Sequence, residues 1–241
     1  MVLGAQALIE ATPLQHALSL RFFGESTVAQ DSGWINIDTA PWHLQAAQLP
    51  SGPVELSYRC WTSQRGQVRL MTLHGAKVSV ESLFLLPNTS YDWPTLAAET
   101  VVLGNTLQVA VLDVVAPPTI STRAWQCALN RTRPFHDKEL PGWFESCASG
   151  HEIFLRKPHE LAMTAYWQSV TMCINEWASK SALNSLANRE QTQDHHVWLE
   201  AYMEHHRDNS PGLPLLSRLF GENWTREFMQ NFFEVSAIQT R

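Results

Sequence analysis

Residues Ala76–Pro117 read AKVSVESLFLLPNTSYDWPTLAAETVVLGNTLQVAVLDVVAP, and this stretch decides the fold. It predicts strands over about Lys77–Leu86, Ala97–Leu103 and Thr106–Val115, rich in Val, Leu and Phe and bounded by turn residues. Gly104-Asn105 between two apolar runs signals a tight hairpin, so the last two strands pair antiparallel. Two acids, Glu81 and Glu99, interrupt the apolar pattern. A carboxylate within so apolar a sheet is costly unless it is paired, hydrated or used, which makes Glu99 the first candidate for chemistry.

Upstream, Val54–Trp61 (VELSYRCW) and Gln67–His74 (QVRLMTLH) alternate as strands do, and with short turns between them the run makes an antiparallel meander. His151–Arg156 (HEIFLR) adds a further strand. Ala5–Phe22 carries helix formers, whereas Gly24–Pro53 reads as irregular and loop-rich, with Trp34 and Trp42 as anchors. Gln126–Glu145 is mostly polar and broken by Pro134 and Pro141. From His159 to about Leu186 the period becomes helical, with Tyr166, Val170, Ile174 and Trp177 three or four apart. Further helices are expected over Asn188–His206, Leu215–Phe220 and Trp224–Val235. A sheet covered by helices from both chain ends gives a three-layer α/β/α sandwich with a central antiparallel sheet, as one domain spanning residues 1–241.

Net charge −6 argues against general nucleic-acid binding, and no apolar run reaches membrane-spanning length. The N-terminus lacks a signal-peptide pattern. Cys60, Cys127, Cys147 and Cys173 are scattered without a CxxC pair, which fits reduced thiols and a cytoplasmic protein. Ten tryptophans are many for this length: some are expected to line a cavity for a flat conjugated ligand, the alternative being a large aromatic core.

Histidines crowd one helix as His195-His196 and His205-His206. His195 and His206 share a helical face but lie roughly 16 Å apart along it, too far for one metal ion. A solvated polar face is the expectation. Dinucleotide, P-loop and nucleophile-elbow motifs are all absent. Alternation puts Val78, Val80, Ser82, Phe84 and Leu86 on one face of their strand, with Glu81 on the other; Glu99, Val101 and Leu103 share a face of theirs. If the faces of Ser82 and Glu99 coincide, desolvation raises the Glu99 pKa and suits it to donate protons; the alternative is a salt bridge at the sheet edge. Asp208, read alone, is a capping or surface residue. Arg65, Arg69 and Arg156 lie on or beside strands and suit either a ligand carboxylate or the surface; His74, closing its strand, joins them as a candidate substrate contact.

From about Glu55 to Val235 the chain resembles the ferredoxin-dependent bilin reductase superfamily, which includes red chlorophyll catabolite reductase. The resemblance rests on SLFLLPNTSYDWPTLAAETVVLGNTLQVAVLDVVAP, LPGWFESCASGHEIFLRKP and RLFGENWTREFMQNFFEV, in that order. It implies an open-chain tetrapyrrole between the sheet and the C-terminal helices. It further implies single electrons from an external 2Fe-2S ferredoxin, protons from the protein, and no permanently bound cofactor. Such a protein is expected in the cytoplasm or, in a plant or alga, a plastid-stroma-like compartment.

Members that make phycocyanobilin have a His at the position of Ser82 and an Asp at that of Glu99. Red chlorophyll catabolite reductase is closer, with a similar S-x-D-x-P-x-x-x-x-E run, here Ser90 to Glu99. The family's second acid maps to Asp208. A serine cannot release a proton near neutral pH, so proton delivery rests on Glu99, helped by Asp208 or water. The substrate implied is biliverdin or a chlorophyll-derived bilin; the competing expectation is a non-catalytic bilin- or haem-binding carrier. Arg123, Arg131, Arg133 and Lys138 are candidates for docking an acidic ferredoxin, or else a solvated loop.

Overall fold

The computed structural model describes residues 13–29, 33–40, 42–137, 139–183 and 189–235. Its sheet is built from β1 (Ile35–Ile37), β2 (Leu44–Leu49), β3 (Gly52–Ser63), β4 (Gly66–Gly75), β5 (Val78–Pro87), β6 (Thr95–Leu103), β7 (Thr106–Val115) and β8 (Ile153–Arg156). These form one eight-stranded antiparallel sheet in which β3 to β7 follow one another as a meander and β8 closes the far edge. Gly104 turns the β6–β7 hairpin at φ 61°, a left-handed conformation that glycine adopts without penalty. A bulge follows between Val101 and Val102.

The helices are α1 (Pro13–Ala29), α2 (Arg123–Asn130), α3 (Gly142–Glu145), α4 (Glu160–Leu183), α5 (Arg189–Asn209), α6 (Leu213–Phe220) and α7 (Glu222–Phe233). They divide between the sheet's two faces. Leu83, Leu85, Leu96 and Leu112 pack against α1, α2 and α4 through Leu20, Trp125, Tyr166 and Trp177. On the other face Met71, Leu73, Phe84 and Ala97 meet α5, α6 and α7 through Tyr202, Leu216, Phe228 and Phe232. This is the expected α/β/α sandwich, apolar on both sides of the sheet because both are covered.

Three departures from the sequence reading have physical causes. Helix α1 runs past Phe22 to Ala29, because Gly24 lets it lie close on the sheet: a Cβ there would come within 3.1 Å of Leu83 Cδ1. The part of the expected helix before residue 13 lies outside the described residues. The supposedly irregular segment from Gly24 to Pro53 contains β1 and β2, both paired to the long β3. Their own sequences carry little strand signal, and pairing to an existing edge supplies the missing hydrogen bonds. The polar stretch after Gln126 holds most of α2, whose Trp125, Ala128 and Leu129 are buried.

Candidate active site

Cross-strand register places the first candidates. Ser82 on β5 faces Glu99 on β6, and the Ser82 hydroxyl donates to Glu99 Oε2 at 2.7 Å. Both side chains look into a cavity of about 440 Å³ between the sheet and α5 to α7, within the range of about 300–1,000 Å³ usual for ligand sites. Its floor is Met71, Leu73, Phe84, Ala97 and Val111; Leu216, Met229 and Phe232 form the roof. The walls are almost wholly apolar. Burial therefore pushes the Glu99 carboxyl above its ordinary range, and the Ser82 hydroxyl only partly opposes this. Glu99 is not fully sealed: it keeps accessible surface as part of the cavity lining. A neutral carboxylic acid on the floor of an apolar pocket can donate a proton or a hydrogen bond.

Support comes from the opposite side of the sheet. Tyr166 on α4, fully buried, donates its hydroxyl to the Val111 carbonyl at 3.0 Å and reaches the Glu99 carbonyl at 3.5 Å. It thus fixes the backbone of β6 and β7 directly beneath the acid. At the end of β7, Asp113 accepts from the N–H of Val114 at 2.8 Å and from the N–H and hydroxyl of Ser149. That ties the segment after α3 to the sheet and so holds Trp143, a cavity residue. Burial raises Asp113 to about 7, against the hydrogen bonds from Ser149 and Val114.

The remaining sequence candidates divide. Arg156, at the end of β8, lines the cavity with its guanidinium 5.2 Å from the Phe154 ring centroid. Arg69 is buried, and its guanidinium donates to Gln67 Oε1 and to the carbonyls of Phe232 and Glu234, which fastens the end of α7 and the chain after it to the sheet. Arg65 sits in the β3–β4 turn, where its carbonyl accepts from Asn88 N–H, away from the cavity. His74 follows Leu73, points the other way and is exposed.

Asp208, expected as the second acid, does not line the cavity. Its side chain is 60 % exposed at the end of α5, paired with Arg207 at 2.7 Å, and outside the cavity. The Arg207 hydrogen bond and charge hold it below the usual carboxylate range. The residue that α5 presents to the cavity is His206, only 8 % exposed. His195 is wholly buried too, so the histidine-bearing helix face expected to be solvated instead packs inward. The signal was present in the sequence: His195, Leu199, Tyr202 and His206 recur at helical spacing.

A family model described as ferredoxin-dependent bilin reductase matches residues 42–233. The chain belongs to that family. A search of the curated proteins gave no match. Among solved structures, phytochromobilin synthase from tomato, in complex with biliverdin, is similar to this chain with a TM-score of 0.72 at 14 % identity, covering 89 % of this chain and 81 % of that one. At that identity the likeness establishes the fold.

Arg123, Arg131 and Arg133 are exposed on or just after α2, while Lys138 lies outside the described residues. No helix among the described residues is long and apolar enough to cross a membrane. Among the same residues no group of three or more His, Cys, Asp or Glu side chains is arranged to hold a metal ion.

Proposed function

We propose that the protein reduces an open-chain tetrapyrrole, biliverdin or a chlorophyll-derived bilin, with electrons delivered singly by an external 2Fe-2S ferredoxin and with no permanently bound cofactor of its own. The observation that carries this reading is the Ser82–Glu99 pair on the floor of a large apolar cavity, in a member of the ferredoxin-dependent bilin reductase family. Conversion of one double bond of the conjugated system to a single bond takes up two electrons and two protons. Glu99, kept protonated by burial, supplies one proton to the electron-rich reduced ligand; water entering at the rim beside Arg156 and Ser210 supplies the other. Ser82 orients the acid and stabilises the carboxylate left behind. Arg156 pairs with a ligand carboxylate at the rim.

An anaerobic absorbance titration with biliverdin, followed by a reducing ferredoxin system, tests this directly. A shifted long-wavelength band that bleaches or moves through new species is expected. A shifted band that reduced ferredoxin leaves unchanged, with biliverdin and with a chlorophyll-derived bilin alike, would leave a carrier in place of an enzyme.

A further inference from the structure

Helix α5 carries Trp198, Tyr202 and His206 four residues apart, on the face turned inward. The Trp198 and Tyr202 rings stack at 5.4 Å, and Tyr202 meets His206 edge-on at 4.6 Å. Phe84 at 5.9 Å, Trp143 at 6.0 Å and Phe233 at 6.2 Å hold the imidazole on its other sides. So confined, the ring has one orientation. Its Nε2 lies 3.6 Å from Cys147 Sγ.

The surroundings favour one tautomer. The Cys147 thiol directs its hydrogen to the Phe144 carbonyl at 3.3 Å, and burial pushes the thiol up to about 12, so it stays protonated. With the thiol hydrogen on that carbonyl the sulfur is left to accept from Nε2–H, the tautomer that a neutral imidazole also favours in water. Burial also pushes the His206 imidazole down to about 4, so the ring is neutral near physiological pH and Nδ1 keeps its lone pair. Nδ1 has no hydrogen-bond partner among the described residues.

We infer that Nδ1 of His206 accepts hydrogen bonds from the pyrrole or lactam N–H groups of the ligand, as a binding residue on the helical wall that complements the donor acid Glu99 on the sheet floor. The inference rests on the tetrapyrrole reading above. Phe84, which touches the His206 ring, is the next residue along the cavity face of β5 from Ser82, about 7 Å away. One conjugated ligand can therefore reach both groups. An open-chain tetrapyrrole brings several N–H donors, each costly to bury unmet, and Arg156 at the rim only donates. The sheet floor has acceptor oxygens on Ser82 and Glu99, and His206 adds an acceptor on the helical wall.

Substitution separates this role from simple packing. His206→Phe fills the aromatic box without a nitrogen, whereas His206→Asn loses the ring but places its amide oxygen near the position of Nδ1. Biliverdin titrations should show about tenfold weaker binding for His206→Phe, with its long-wavelength band displaced from that of wild type, and recovery of both in His206→Asn. Packing alone predicts the reverse order. Wild-type affinity and an unmoved band in His206→Phe would overturn the inference and leave the tetrapyrrole reading standing. A wild-type protein that binds neither biliverdin nor a chlorophyll-derived bilin would overturn both.

Discussion

Glu81 and Glu99 lie one step apart on the β5–β6 ladder, where Glu81 faces Thr100 and Glu99 faces Ser82, and they point to opposite sides of the sheet. Burial raises both, Glu81 to about 8. Glu81 is 1 % exposed beneath α1, and its Oε2 accepts the Arg21 backbone N–H at 3.2 Å. Glu99 takes one hydrogen bond from Ser82 and lines the cavity. Electrostatics alone does not tell them apart. What differs is the layer above: α1 seals its side, while α5 to α7 leave room for a ligand. A perturbed acid marks a site only where something can reach it.

Glu99→Gln gives the largest expected effect. The amide oxygen still accepts from Ser82, so the side chain stays in place, but no proton can be given up. Reduction of bound biliverdin should slow by about a hundredfold or more, with the bound-state absorbance band near that of wild type. The donor is the protonated form, so the wild-type rate should fall as pH rises through the raised Glu99 pKa, and the residual rate of the variant should lack that step. Stopped-flow traces with reduced ferredoxin across pH check both. A wild-type rate in the variant would erase the distinction between the two acids.

Glu81→Gln sharpens the comparison from the other face, with the effect on stability. Unfolded, this carboxyl titrates near its ordinary value of 4.5; folded, near about 8. Between those values the folded state holds a proton that the unfolded state has released, so its contribution to stability falls as pH rises through the window. Glutamine has no such dependence. Urea denaturation should show variant and wild type similar near pH 4 and the variant more stable at pH 9, by at most about 5 kcal/mol. Reduction should be unaffected.

The meander was legible because β5 to β7 are long, strongly apolar and joined by a tight hairpin, so strand period and turn chemistry agree. The Ser82–Glu99 contact followed once alternation had sorted the faces, needing only the register that the hairpins impose. Arg69 was not legible: an arginine in an apolar strand reads as a ligand grip, and its use for two carbonyls at and just beyond the end of α7 depends on a contact 163 to 165 residues away in sequence. The inward histidines of α5 were hidden by composition. That helix is polar enough on average to read as solvated, yet its stripe of His195, Leu199, Tyr202 and His206 is buried or nearly so.

Asp208→Asn carries the smallest expected effect, and it tests how a family motif maps onto a helix. Asp208 and His206 are two residues apart, which on an α-helix is a rotation of about 200°. An offset of two positions therefore moves a side chain from the cavity to the solvent. The exposed pair with Arg207 is screened by water and contributes little. Asp208→Asn should leave the reduction rate within about twofold of wild type and the thermal midpoint nearly unchanged, in contrast to His206→Phe. A rate loss beyond about tenfold would mean that the end of α5 unwinds around the bound ligand and carries Asp208 inward. The helical face would then be one that the ligand itself completes, set against a sheet face already built.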